Sequence, residues 1–82
     1  MATMAHMRVK MIYPPGLVTK PIIAILAKEH NVLANIRRAS VDEGTGWLVC
    51  ELEGEPDDLG SGLAWLEATG IEVESLGDVV ES

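Results

Sequence analysis

Between Met7 and Tyr13 apolar and polar positions alternate, with Met7, Val9, Met11 and Tyr13 on one side and Arg8, Lys10 and Ile12 on the other. A period of two is that of a half-buried strand. Pro14-Pro15-Gly16 ends it. Thr19 is placed to cap a helix, and Pro21 falls in its first turn, where backbone N–H groups have no partners in any case. Ile22, Ile25 and Leu26 then form an apolar stripe with Lys28 and Glu29 turned outward, and the helix is expected to stop near His30-Asn31. Ala34–Val41 reads as a second strand carrying Asn35, Arg37, Ala39 and Val41 on one face and Ile36, Arg38 and Ser40 on the other. Asp42-Glu43-Gly44-Thr45-Gly46 has hairpin-turn chemistry, with glycines for the positive-φ positions. Trp47–Glu53 is the third strand, Leu48, Cys50 and Leu52 opposing Trp47, Val49 and Glu51.

Pro56-Asp57-Asp58 opens a second helix with acids at the positive end of its dipole. Leu59, Leu63 and Leu66 form its core stripe. Gly60 and Gly62 each cost it about 1 kcal/mol relative to alanine, a cost that close packing on the sheet would explain. Gly70 supplies the stop. Ile71–Leu76 alternates again, Ile71 and Val73 against Glu72 and Glu74. Met1–His6 is read as a flexible arm, residues 7–77 as the domain and residues 78–82 as an acidic tail. The order β-α-β-β-α-β, with right-handed crossovers, predicts an α+β fold: the ferredoxin-like plait, a four-stranded antiparallel sheet with both helices on one face.

That architecture leaves one side of the sheet bare. By alternation the bare side carries Ile12, Asn35, Arg37, Ala39, Val41, Trp47, Val49 and Glu51, while Leu48, Leu52, Ile36, Ile71 and Val73 face the helices. Covering about 400 Å² of apolar surface at roughly 25 cal/mol per Å² contributes ~10 kcal/mol before association costs. A patch of that kind marks a partner surface, most simply a two-fold homodimer. Ile12, Ala39, Trp47 and Val49 are its expected interface residues.

Composition sharpens the picture mainly by exclusion. The 82 residues make one small domain. Six Lys and Arg against thirteen Asp and Glu give a formal net charge of −7, which disfavours nucleic acid and anionic membrane surfaces. No stretch is long enough to insert in a membrane. A single cysteine excludes an internal disulfide or a four-cysteine metal site, and with no export signal it points to a cytoplasmic location. Cys50, on the core-facing register, reads as a packing residue rather than a nucleophile. His6 and His30 lack metal-site spacing. Glu51 with Glu53, and Glu72 with Glu74, read as solubilising edge charges rather than catalytic pairs. No phosphate-binding glycine loop is present, so neither a cofactor nor an enzyme is expected.

Several segments carry a resemblance: Lys10-Met11-Ile12-Tyr13-Pro14, Lys20-Pro21-Ile22-Ile23, His30 to Ile36, Gly46-Trp47-Leu48-Val49-Cys50-Glu51-Leu52-Glu53-Gly54, and Leu63-Ala64-Trp65-Leu66-Glu67 through Gly70-Ile71-Glu72-Val73-Glu74. In this order and spacing, over residues 8–77, the chain resembles the NIL domain, named for an Asn-Ile-Leu triplet that stands here as Asn35-Ile36-Arg37. NIL domains are similar to ACT domains in fold and regulatory role. The best-known members are C-terminal domains of methionine-importer ATPase subunits, which dimerise, bind L-methionine at the dimer interface and restrain transport. Others are fused to ferredoxin-type domains linked to sulfur amino acid metabolism. Neither an ATPase nor a cluster-binding segment stands in these 82 residues, so the resemblance implies a free-standing NIL domain.

By position, Asn35 matches the asparagine that contacts methionine in the importers, and Val41 an apolar position lining that pocket. Arg37 departs from the triplet, Arg38 follows it, and the hairpin is shorter than in the importers. The two arginines suit either a ligand carboxylate or a salt bridge to Glu51 or Glu53. The expectation is a small dimeric sensing module that binds an amino acid, L-methionine among the candidates, through Asn35, Arg37 and Val41. The alternative is an adaptor in sulfur amino acid metabolism that binds an unidentified protein partner and no small ligand.

Overall fold

A computed structural model describes residues 4–14, 21–42, 45–77 and 80–81. Among them β1 (Ala5–Tyr13), α1 (Ile22–His30), β2 (Leu33–Asp42), β3 (Thr45–Gly54), α2 (Pro56–Ala68), β4 (Glu72–Ser75) and β5 (Val80–Glu81) follow in chain order. The main strands pair antiparallel in the order β2-β3-β1-β4, the ferredoxin-like arrangement. Two elements extend beyond the expected limits. β1 begins at Ala5, which is fully buried, inside the segment read as an arm. β5, inside the segment read as a tail, pairs with Ala5 and His6. Thr19, most of the Pro14–Gly16 turn and the Glu43-Gly44 centre of the hairpin lie outside the described residues.

The helices close where their chemistry dictates. Asn31 takes the left-handed conformation (φ 57°) that an asparagine tolerates, and its N–H bonds to the Leu26 carbonyl, ending α1. Pro56 stands at the start of α2 with Asp57 and Asp58 in the first turn, and Gly70 (φ 100°) turns the chain out of it. The core lies between the helices and one sheet face. Val9, Met11, Cys50 and Leu52 meet Ile22, Leu26, Leu59, Leu66 and Ile71, all buried. Cys50 is a packing residue whose thiol burial pushes up to about 11.

The two glycines of α2 differ. A Cβ on Gly62 would stand 3.1 Å from a Val32 methyl and 3.3 Å from Leu26 Cδ2, so this glycine lets α2 approach α1 and the chain entering β2. A Cβ on Gly60 would meet nothing within 4 Å. Gly60→Ala is therefore expected to stabilise the fold by about 0.5–1 kcal/mol. Gly62→Val is expected to destabilise it by about 1–3 kcal/mol through overpacking. Urea unfolding of the two variants checks both signs.

One irregularity changes the face assignment. The register of β2 against β3 slips between Ile36 and Arg38, so Arg37 is an extra residue. Asn35 lies opposite Glu51 and Ile36 opposite Cys50, but beyond the slip Arg38 faces Val49, Ala39 faces Leu48, Ser40 faces Trp47 and Val41 faces Gly46. Side chains opposite one another share a face, and one inserted residue inverts the alternation that follows. Ala39 and Val41, expected on the bare side, therefore belong to the helix side. Arg38 and Ser40 join the bare side instead. Strict alternation would send one of two consecutive guanidinium groups toward the core side; the bulge keeps both at the solvated face. Ile36, expected in the core, is on the helix side but 52% exposed, because β2 is the edge strand.

Candidate functional site

The bare face of the sheet is built in rows across the strands, and pairing register fixes each row. Asn35, Glu51 and Arg8 form one. Arg38, Val49, Lys10 and Glu74 form the next, and Ser40, Trp47, Ile12 and Glu72 the one after. Ile12, Trp47 and Val49 are half-buried, an apolar strip along the centre. Lys10 Nζ lies 5.1 Å from the Trp47 ring centroid, a cation–π contact that lays the lysine stem along this strip.

Glu51 is the electrostatic centre of the face. Its carboxylate has His6 Nδ1 at 3.6 Å, Arg8 Nη2 at 4.0 Å and Arg37 Nη2 at 3.9 Å. These are long, partly exposed pairs, each contributing at most about 1 kcal/mol. They orient the arginines without consuming their donors. Arg37 thus makes one of the two contacts its position suits, a salt bridge to Glu51.

Of the predicted ligand residues, Asn35 and Arg37 come together on the bare face, both exposed. Val41 does not join them. It sits past the bulge on the other face, 71% exposed, and about five strand residues away, roughly 17 Å at 3.4 Å per residue. One amino acid within one subunit does not touch both. Val41 instead helps line a shallow groove of about 210 Å³ with Tyr13, Ile22, Ile23, Trp47 and Leu48, where the start of α1 meets the β2–β3 end of the sheet. Its volume is below the range of about 300–1,000 Å³ usual for small-molecule pockets. Burial pushes the Tyr13 phenol up to about 12, with a smaller contribution from Cys50, so this wall stays neutral.

Among the expected interface residues, Ile12, Trp47 and Val49 lie on the bare face and Ala39 does not. Arg8 and Lys10 were not expected in the site, and Arg38, considered beside Arg37 for a carboxylate, was expected on the opposite face. The signal for them was available: four of the six Lys and Arg residues, Arg8, Lys10, Arg37 and Arg38, belong to this one face of an otherwise acidic protein.

Comparison with known proteins agrees with this architecture. In solved structures, the C-terminal domain of an ABC transporter ATP-binding protein from Enterococcus faecalis superposes with a TM-score of 0.77 at 22% identity, covering 88% of this chain and 84% of that one. The de novo designed protein Foldit4 superposes with a TM-score of 0.54 at 9% identity, covering 96% of each chain. These two likenesses show the fold. In sequence, the chain is 35% identical over 78 residues to the methionine import ATP-binding protein MetN of Chromohalobacter salexigens. That match covers 90% of this chain and 22% of the relative, so the chain spans about a fifth of that protein's length. Among the described residues no helix is long and apolar enough to cross a membrane. The NIL domain family model matches residues 7–75, nearly the whole of the plait, and the chain belongs to the NIL domain family.

Proposed function

We propose that this chain is a small, non-enzymatic sensing module that acts as a dimer in the cytoplasm and binds an amino acid, L-methionine first among the candidates, at the interface between two copies. Membership of the NIL family and similarity to a methionine import ATP-binding protein support a regulatory role. The observation that carries the ligand class is the composition of the bare face: an exposed Asn35 amide and the Arg37 and Arg38 guanidinium groups beside the half-buried Val49 and Trp47. An amide and a guanidinium suit the carboxylate and ammonium groups of an amino acid. The apolar strip suits an unbranched side chain, and a thioether gains from the edge of an indole. A ligand of this size shifts a dimer toward the arrangement that closes over it, and the shift is read by whatever protein the dimer contacts.

Thermal and urea unfolding test this reading. At a ligand concentration 100 times Kd, stability is expected to rise by about 2.7 kcal/mol. Asn35→Ala and Arg37→Ala are expected to reduce the rise. A panel of methionine, cysteine and homocysteine that leaves the unfolding curve unmoved contradicts the reading.

A second reading is an adaptor in sulfur amino acid metabolism with no small ligand. It is supported by edge strand β2, where Leu33, Ile36 and Val41 are 56%, 52% and 71% exposed. A long edge strand with apolar side chains is a template for strand addition by another protein. Recovery of a stable partner that requires Ile36, with no ligand shift, supports this reading over the first.

A further inference from the structure

Positive charge on the bare face is gathered around one apolar residue. Val49 of β3 is flanked in its row by Arg38 of β2 and Lys10 of β1, whose Cα atoms stand two strand spacings apart, roughly 10 Å. The neighbouring row holds Asn35, Glu51 and Arg8, and the bulged Arg37 turns to the same Glu51. Four cations therefore surround two rows with a single central carboxylate. Glu51 is shared between Arg8 and Arg37, with His6 also beside it. Arg38 has no ionic partner among the described residues. Lys10 is in register with Glu74 at the β4 edge, yet its ammonium group lies over the Trp47 ring, and no ion pair among the described residues joins it to that carboxylate. The row beyond Glu51 sets Glu53 beside His6, so the surplus of cations is confined to the surroundings of Val49.

The zwitterion of a neutral amino acid brings no net charge and leaves this surplus unmatched. We infer that the bare face selects an amino acid whose side chain ends in a second acidic group, a carboxylate, sulfonate or phosphate. This rests on the reading of the face as an amino-acid site and names the class of ligand within it. Glu51 and the Asn35 side-chain oxygen accept from the ligand's ammonium group, and Arg37 donates to its α-carboxylate. Successive rows on one face are two residues apart, about 7 Å. A side chain running along β3 crosses that distance in a few atoms, lays its methylenes on Val49 and sets its terminal anion between Arg38 and Lys10. Hydrogen bonds from cations to an anion are roughly twice as strong as neutral ones, and at an exposed face they weaken with added salt.

The test compares three compounds on one carbon skeleton by isothermal calorimetry of the full chain. L-Methionine and L-methionine sulfone are uncharged at sulfur, whereas L-homocysteate ends in a sulfonate. L-Homocysteate is expected to bind about fivefold or more tighter than either neutral compound at low ionic strength, with the advantage shrinking as salt is added. Arg38→Gln and Lys10→Gln are each expected to cut that ratio by about threefold or more. Lys28→Gln, which removes an exposed cation of α1, is expected to leave it unchanged. Circular dichroism checks that each variant is folded. A ratio that ignores salt, or one that Arg38→Gln does not move, overturns the inference. Methionine bound as tightly as L-homocysteate overturns it too and leaves the sensing reading intact. L-Homocysteate bound while methionine is ignored supports the inference and moves the ligand of that reading from L-methionine to acidic amino acids. A chain that binds none of the three overturns both.

Discussion

Leu26→Ala is expected to remove 2–5 kcal/mol of stability, toward the upper end of that range. Leu26 is fully buried on α1, a helix of nine residues too short to persist without tertiary packing. Its carbonyl also accepts the N–H of Val32, which joins α1 to the chain entering β2. The side chain faces Gly62, and a glycine has no atoms with which to fill the space left by the leucine. The cavity therefore stays open, and the cavity cost adds to the lost transfer energy. A domain of this size has a total stability of about 4–12 kcal/mol, so the loss is a third of it or more. At roughly 4–8 °C per kcal/mol the melting temperature falls by more than 10 °C. Ile36→Ala, at a half-exposed edge position, is the comparison and is expected to cost under about 1 kcal/mol. Urea unfolding decides the matter; equal effects of the two substitutions contradict the core described above.

The second large effect is alkaline. Burial pushes the Cys50 thiol from 9.0 to about 11, and burial with a smaller contribution from Cys50 pushes the Tyr13 phenol from 10.0 to about 12. Both groups are neutral when protonated. Above pH 9 the unfolded chain releases protons that the folded chain holds, so stability falls as pH rises. The contribution of each group is complete below its unfolded value and is lost through its folded value, the thiol between pH 9 and 11 and the phenol between pH 10 and 12. Because the two groups act on one another, the loss for the pair together is on the order of a few kcal/mol. Stability is therefore expected to be level up to about pH 8.5 and to fall steeply by pH 11. Cys50→Ala is expected to lower the plateau slightly and to remove the earlier part of the fall. Denaturant midpoints from pH 7 to 11.5, for wild type and variant, measure the slope directly. A slope between pH 9 and 10 that is the same in both proteins contradicts the burial of Cys50.

Much of this fold is legible in the chain because its signals are local. Val9, Met11 and Tyr13 alternate with Arg8 and Lys10, and all three are buried. Asn31 and Gly70 end the helices where left-handed backbone is needed. The site is legible only as far as alternation holds. Ile12, Trp47, Val49, Asn35 and Arg37 fall on the bare face as their positions suggest. Ala39 and Val41 do not, because an inserted residue leaves no mark in a count of every second position. The hint was chemical rather than periodic: two consecutive arginines have no good place in strict alternation beside a core. Ile36 was misplaced for a different reason. Its parity is right, but edge position is a property of topology, and at the edge about half of this side chain stays in solvent.

The central claim is that the bare face of the sheet is the working surface of this NIL domain. Backbone amide and indole NMR spectra of the full chain, recorded with and without L-methionine, test it most directly. Changes are expected at Asn35, Arg37, Arg38 and Val49 and at the Trp47 indole, with the outward surfaces of α1 and α2 silent. Spectra that do not change for any sulfur amino acid, or that change first around Lys28 and Glu67 on the helices, contradict it.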